Sequence, residues 1–493
     1  MDDHGEAADG AGRSRRSVLR SAGAAAAGMV TLAGTASAAE DAGHTEPTYP
    51  SVAWFQREQR NYAKTQEAPR EQATDPAFQQ HWQAQSARNL ADFRTRTVEE
   101  PRWNSGGNLC KEYAEQCVGD PFSYEAGTTY GDRHTYDGIE RRRVAFHDSG
   151  LDSDAGGARL SGWVWAPADS EPGDDLPGVV ITNGSVQASQ TLYWWFADTL
   201  VANGYVVMTY DPRGQGRSDT TTPDGTRGTN ADPTVFVTNQ VDAIDLFRAT
   251  PTNRYPHNTE TPTEVPAPIA EYNPFHERLD RDRLGIVGHS LGATGVSVVQ
   301  GISDADWPGA IDDHNPVDAA VAWDNLADPD EQLAGASGDT LAGFGVTPRV
   351  PAMGQSGDYY LTPQPKTEPP EADAKTGGLE AWRDAGVDSY QVNVRGGTHY
   401  EWSLIPTFPA TSWEFGNPMA DHYSLAWLDR YLKRPDEQGY HSADDRLLQD
   451  DKWRDRLSFY YRSARDFTTR SKQVRNCRDI RAGCDGATPP GQE

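Results

Sequence analysis

From about residue 138 the apolar residues fall into short dense runs separated by longer stretches with helical spacing. "GVVITNG" (178–184), "YVVMTYD" (205–211), "LGIVGH" (284–289), "VDAAVAWD" (317–324), "RVPAMGQS" (349–356) and "SYQVNVRG" (389–396) are nearly continuous in apolar or small residues. A strand of that kind is covered on both faces, which is the condition of a parallel sheet. Between the runs lie "TLYWWFADTLVANG", "NQVDAIDLFRA", "LGATGVSVVQG" and "GLEAWRDAG". These predict helices; Val241, Ile244 and Phe247 fall on one side of the second, and Gly204 ends the first. "ERRRVAFHD" and "ARLSGWVWAPA" predict two leading strands joined by the turn "SGLDSDAGG", whose aspartates read as a solvated hairpin turn rather than a calcium loop, because the closing glutamate of such a loop is missing. Asn417 and Pro418 predict the cap and first position of a helix running to about Lys433. Strands alternating with helices give an α/β fold: a mostly parallel central sheet flanked by helices, with the strand C-terminal ends gathered on one edge.

Outside this region the pattern changes. Residues 1–38 read as an export signal. Arg15 and Arg16 precede Val18 and Leu19, a mildly apolar alanine- and glycine-rich stretch follows, and Ala36-Ser37-Ala38 is a small-residue cleavage pattern. The arrangement resembles a twin-arginine signal, which implies a secreted protein with no membrane association once the signal is removed. Residues 39–137 are polar and aromatic with helix-forming composition, Phe78, Trp82 and Leu90 marking a buried stripe, and predict a helical N-terminal extension. Residues 138–435 form the α/β domain. The proline-rich stretch 250–275 reads as an insertion, and residues 436–493 as a charged helical tail closed by cysteines.

Composition narrows the partners. The 493 residues carry a formal charge of −28, and such a surface repels phosphate backbones, so nucleic acid is excluded as a partner. Four cysteines form two spaced pairs, Cys110 with Cys117 and Cys477 with Cys484. In an exported chain these read as disulfides, local pairing being favoured because each closes a short loop. Zinc is the alternative, against which stands the absence of histidines at ligand spacing beside either pair.

One strand ends in chemistry. Gly288-His289-Ser290-Leu291-Gly292 follows the run "LGIVGH" and opens a small-residue helix. A serine on a sharp strand-to-helix turn, with glycines where side chains would collide, is a nucleophile held clear of the sheet edge. A serine hydroxyl needs a base, and among His314, His399, His422 and His441 only His399, in "RGGTHYEWS", directly follows a strand. The base needs a carboxylate to hold its tautomer. Two aspartates end strands between serine and histidine: Asp358 in "MGQSGDYY", which is favoured, and Asp324 in "AWDNLADPD", its competitor. The oxyanion donors expected are the amide of Leu291, after the nucleophile, and that of Ser185, in the loop after "GVVIT". Tyr193, Trp194, Trp323, Tyr359, Tyr360, Tyr400 and Trp402 fall near the same edge, as pocket walls or ordinary core.

The Gly288–Gly292 turn, the order Ser290, Asp358, His399, and "DPRGQGRSD" (211–219) together resemble the α/β-hydrolase superfamily, over about residues 138–435. Its dienelactone-hydrolase-like and prolyl-oligopeptidase-like secreted branches are the most similar. One departure is Asn183-Gly184 at the oxyanion loop, where many members carry His-Gly. The resemblance implies an α/β-hydrolase fold, a structural role for Arg213 buried against the turn, and a serine hydrolase that cleaves carboxylic esters of small molecules or polymers without a cofactor. The same triad serves peptidases and amidases, although the hundred or so residues before the fold cannot build the propeller of a prolyl oligopeptidase. A non-catalytic binding protein on this scaffold is the reading from another class; it is expected to lose a triad member. Oligomeric state has no signature in the sequence.

Overall fold

The computed structural model describes residues 136–151, 156–185, 189–225, 232–258, 269–335, 344–359, 371–403, 413–458 and 460–484, with scattered positions between 51 and 98. The chain divides into two units, residues 1–45 and 46–493, and every described residue belongs to the second. The export signal, the Cys110–Cys117 pair and most of the N-terminal extension lie outside the described residues; the scattered positions after Ser51 are helical.

Ten strands form one sheet. In chain order they are β1 (Ile139–His147), β2 (Arg159–Pro167), β3 (Leu176–Thr182), β4 (Val206–Asp211), β5 (Leu279–His289), β6 (Ala319–Trp323), β7 (Ala352–Gly357), β8 (Ser389–Val394), β9 (Ala464–Thr468) and β10 (Val474–Cys477). Their order across the sheet is β1-β2-β4-β3-β5-β6-β7-β8-β9-β10. From β4 to β8 every neighbour is parallel, while β1, β2, β9 and β10 are antiparallel additions at the two ends. This is the expected α/β-hydrolase fold: a mostly parallel sheet between helices.

The alternation of side chains explains the two cores. Val179 and Ile181 of β3 and Val207 of β4 face one hydrophobic cluster, with Trp195, Phe196, Leu200, Ala426 and Trp427. Val180 of β3 and Val206 and Met208 of β4 face the other, with Val241, Ile244, Phe247, Val296 and Trp382. Successive residues of one strand point to opposite faces, so a strand sandwiched by helices carries apolar residues on both. Each fully buried aliphatic or aromatic side chain here contributes about 1.5–3 kcal/mol of hydrophobic stabilisation. The covering helices are α1 (Trp194–Ala202) and, on the other face, α2 (Pro233–Arg248) and α3 (Leu291–Val299); α4 (Pro329–Gly335), α5 (Gly377–Asp384) and α6 (Trp413–Leu432) follow.

Three local expectations are corrected. Helix α2 begins at Pro233, with Asp232 accepting from the Thr234 amide as its cap, six residues before the apolar spacing announces it. Helix α6 begins at Trp413 and carries Pro418 inside it. At the sixth position a proline removes only one ladder bond, and the buried Met419, Ala420, Tyr423 and Trp427 hold the helix beyond it. The tail after residue 436 is helical only at first. It then returns as β9, antiparallel to β8, and β10, whose last residue Cys477 is bridged to Cys484. Among the described residues no helix is long and apolar enough to cross a membrane.

Candidate active site

The turn after β5 has the strain its glycines announce. Ser290 sits at φ 57° and ψ −121°, a region nearly closed to residues with a Cβ, at a cost of about 1–3 kcal/mol. The surrounding packing holds it there. The Ser290 amide donates to the Trp323 carbonyl at the end of β6 (2.9 Å). A Cβ on Gly288 would meet the Gly292 carbonyl oxygen at 2.2 Å, and one on Gly292 would meet the Thr182 and Asn183 carbonyl oxygens at 2.4 and 2.6 Å. Only glycine fits either position, as the sequence pattern implied.

The hydroxyl so presented meets a histidine. Ser290 Oγ lies 3.0 Å from His399 Nε2, and His399 Nδ1 lies 2.5 Å from Asp324 Oδ2. The expected acid is therefore corrected: Asp324, not Asp358, stands against the imidazole. Asp324 is the residue after β6, at φ 51°. Its other oxygen accepts from Ser356 Oγ (2.7 Å), which accepts in turn from Lys375 Nζ (3.0 Å). Burial alone would raise the Asp324 carboxyl. The hydrogen bond and charge of His399, the Lys375 charge and the Ser356 hydroxyl more than offset it, so the group is held below the ordinary carboxylate range.

Asp358 follows β7, the next strand, and is buried. Its Oδ2 accepts from the Gly396 amide (2.8 Å), and its Oδ1 from the Ser458 hydroxyl. It ties the loop carrying His399 and the returning tail together from behind. The Tyr359 amide adds a bond to the Gly397 carbonyl (2.9 Å). The loop after β8 thus folds back across the end of β7, carrying the imidazole to the ends of β5 and β6. That trajectory leaves Asp358 under the loop's turn and Asp324 beside its ring.

On the opposite side lies the loop after β3. Ser185, half-buried, and Leu291, at the first position of α3, are the two expected oxyanion donors. Neither amide has a hydrogen-bond acceptor among the described residues. Asn183 explains the departure from His-Gly: its side-chain amide donates to Asp211 Oδ1 (3.2 Å), and the same carboxylate accepts from the Gln190 amide (2.8 Å) and the Arg217 amide (3.0 Å). Asp211 opens "DPRGQGRSD". Arg213, buried as expected, pairs with Asp148 after β1 (2.8 Å) rather than against the serine turn, and Asp219 pairs with Arg159 (3.2 Å).

Two residues at this edge were missed. His289, immediately before Ser290, is buried; its Nδ1 lies 2.7 Å from the Tyr193 hydroxyl and its Nε2 2.9 Å from the His399 carbonyl oxygen. Burial, and then the charge of His399, push its imidazole down to about 3, so it is neutral at ordinary pH. The second is Lys375, behind Asp324. No spacing in the sequence signals either role, since both depend on which loops meet.

Of the aromatics expected at this edge, Tyr193, Trp194, Trp323, Tyr359 and Trp402 are buried. Trp323 is packed by Tyr193, Trp195 and Phe196, as core. Tyr400 is half-buried beside His399, and Tyr360 lies outside the described residues. Among the described residues no three His, Cys, Asp or Glu side chains are grouped as metal ligands would be.

No protein-family model matches the chain, and no curated protein does. Among solved structures it is similar to Thermogutta terrifontis esterase 2 phosphorylated by paraoxon, with 17% sequence identity and a TM-score of 0.34 over 65% of this chain and 94% of that one. At that distance the likeness carries no chemistry across; what the site can do follows from its own geometry.

Proposed function

We propose that the protein is a serine hydrolase acting on carboxylic esters through an acyl-enzyme on Ser290. The observation that carries this is the continuous line Asp324–His399–Ser290, at 2.5 and 3.0 Å, on the C-terminal edge of the parallel strands. His399 takes the serine proton as Oγ attacks the carbonyl, then returns it to the leaving alcohol. Water repeats the cycle and releases the acid. Asp324 fixes the Nδ1–H tautomer and stabilises the imidazolium. The amides of Leu291 and Ser185 receive the oxyanion; both are free of acceptors among the described residues. Everything this reaction needs comes from side chains, backbone amides and water. The Cys477–Cys484 bridge supports the further reading that the enzyme works in an oxidising, extracellular setting reached through the export signal.

The test is a substrate panel of p-nitrophenyl esters of increasing acyl length beside peptide p-nitroanilides, run with the mature chain and its Ser290→Ala variant. Ester turnover lost in the variant is the expected result. Cleavage confined to the anilides would replace the esterase by an amidase, and no turnover of either class would leave a binding protein on this scaffold.

A further inference from the structure

The residue before the nucleophile is joined to three loops. The Gly184 amide points at the Tyr193 hydroxyl oxygen (3.1 Å), that oxygen lies 2.7 Å from His289 Nδ1, and His289 Nε2 lies 2.9 Å from the His399 carbonyl oxygen. Gly184 belongs to the oxyanion loop, Tyr193 precedes α1, His289 ends β5, and His399 is on the base loop.

The protons along this line can be placed. A backbone amide can only donate, so the tyrosine oxygen accepts from Gly184. A backbone carbonyl can only accept, so His289 Nε2 carries a hydrogen. A neutral imidazole then has a bare Nδ1, which must accept the hydrogen of Tyr193. Every bond runs one way, from the Gly184 amide to the His399 carbonyl. The cation would break the line: Nδ1–H would face the tyrosine oxygen and leave the phenolic hydrogen without an acceptor. The surroundings oppose that cation too. The ring is wholly buried, and its centroid is 4.6 Å from that of His399, which itself turns positive during each proposed turnover. Among the charged and titratable groups, Tyr193, His399 and Asp324 are those that face it.

We infer that Tyr193 and His289 are positioning residues, a directional hydrogen-bond relay that sets the oxyanion loop and the base loop at a fixed distance on either side of Ser290. Neither touches a reacting atom. His289 holds the base through its backbone carbonyl, so both ring nitrogens of His399 stay available to Ser290 and Asp324. Tyr193 holds the loop through the Gly184 amide, one residue before the Ser185 amide assigned to the oxyanion. The room there is tight: a Cβ on Gly184 would stand 3.1 Å from Ser290 Cβ, 3.2 Å from His289 Nδ1 and 3.2 Å from the Tyr193 hydroxyl. A shift of either loop therefore changes the geometry at the serine.

The inference rests on the serine-hydrolase reading, and its test separates the two. In the full mature chain, Tyr193→Phe keeps the ring and removes the relay's middle oxygen. For a p-nitrophenyl ester we expect kcat to fall about 10- to 100-fold with KM within about twofold, because a displaced oxyanion donor weakens transition-state binding and not ground-state binding. His289→Gln, whose amide can still donate to the His399 carbonyl, should retain kcat about 2- to 10-fold above that of His289→Ala, the worth of one hydrogen bond. Ring-nitrogen NMR of histidine-labelled Ser290→Ala protein reads the relay with no turnover at all: His289 should show a bare Nδ1 and a protonated Nε2 from pH 5 to 9. A folded Tyr193→Phe with unchanged kcat, a loss confined to KM, or a protonated Nδ1 on His289 each overturns the relay. Should Tyr193→Phe fail to fold, the glutamine–alanine pair and the NMR decide. An inactive wild type with the expected NMR tautomer would overturn the hydrolase reading and leave the hydrogen-bond line standing.

Discussion

Asp324 and Asp358 end adjacent parallel strands at the same edge of the sheet, and both turn their carboxylates away from solvent. One contacts the imidazole of His399 and the other the backbone amide of Gly396, three residues earlier on the same loop. The difference teaches that strand-end position selects candidates, while the path of a neighbouring loop decides among them. Asp324 is wired for charge: a hydroxyl and, behind it, an ammonium hold its free oxygen. Asp358 is wired for shape, with its oxygens spent on a backbone amide and on Ser458, whose oxygen also receives the Tyr460 and Tyr461 amides (2.9 Å each).

Substitutions can break this comparison. The largest effect belongs to the proposed nucleophile: Ser290→Ala should lower ester turnover by at least ~10³-fold, read as kcat with a p-nitrophenyl ester. Next is Asp324→Asn, which keeps the shape but removes the charge that fixes the tautomer; kcat should fall by about 10²–10⁴-fold while the melting temperature moves little. Asp358→Asn should reverse the pattern. Its activity stays within about tenfold of wild type, and urea unfolding shows a loss of about 1–3 kcal/mol, from buried hydrogen bonds left with a poorer acceptor. If Asp358→Asn is the inactive variant and Asp324→Asn is not, the two roles have been exchanged. A smaller effect falls on the outer partner: Lys375→Met removes a charge that acts on Asp324 across space and also donates to its Ser356 partner, so kcat should change by about 2- to 10-fold, the worth of one such bond.

The effects furthest removed from turnover are in the pH dependence of stability, where two buried groups oppose each other. His289 is depressed to about 3, by burial first and then by the charge of His399. The unfolded chain therefore binds a proton that the folded one refuses. Its contribution is full above the ordinary histidine value and is lost as pH falls toward 3, by about 1.4 kcal/mol per unit. Asp242 on α2 is raised to about 8, by burial first and then by the charge of Asp148. The folded chain keeps a proton that the unfolded one releases, so stability is lost as pH rises from the ordinary aspartate value to 8. In Asp242→Asn that loss disappears. Relative to wild type, the variant's unfolding free energy in urea should climb with pH between about 4 and 8, by up to about 1.4 kcal/mol per unit. A flat difference would show that Asp242 titrates normally.

The legible part of the molecule was the part governed by local rules. Strands buried on both faces read as dense apolar runs, broken in β7 and β8 by buried polar residues such as Gln355 and Asn393, so β3 to β8 stand out in the sequence. Gly288 and Gly292 announce a turn that no other residue can make, and His399 directly follows a strand. What was illegible depends on chain segments meeting across long separations. The choice of acid needed the path of the loop over β7. The pairing of Arg213 with Asp148 needed β1 and the loop after β4 to be neighbours. Strand β9 is polar enough, in "ARDFT", to pass for tail, because it is added at the sheet's end where one side is less covered. His289 carries no signal of its own beside Ser290; its role exists once Tyr193 and the His399 loop converge on it.

The central claim is that Ser290 is the group the whole edge serves. Its most direct test is reaction of the mature chain with a fluorophosphonate, followed by peptide mapping of the adduct. One stoichiometric adduct is expected on Ser290, formed in wild type and Asp358→Asn and strongly slowed in Asp324→Asn. A wild-type chain that takes no label, or takes it on another residue with Ser290 intact, would contradict it.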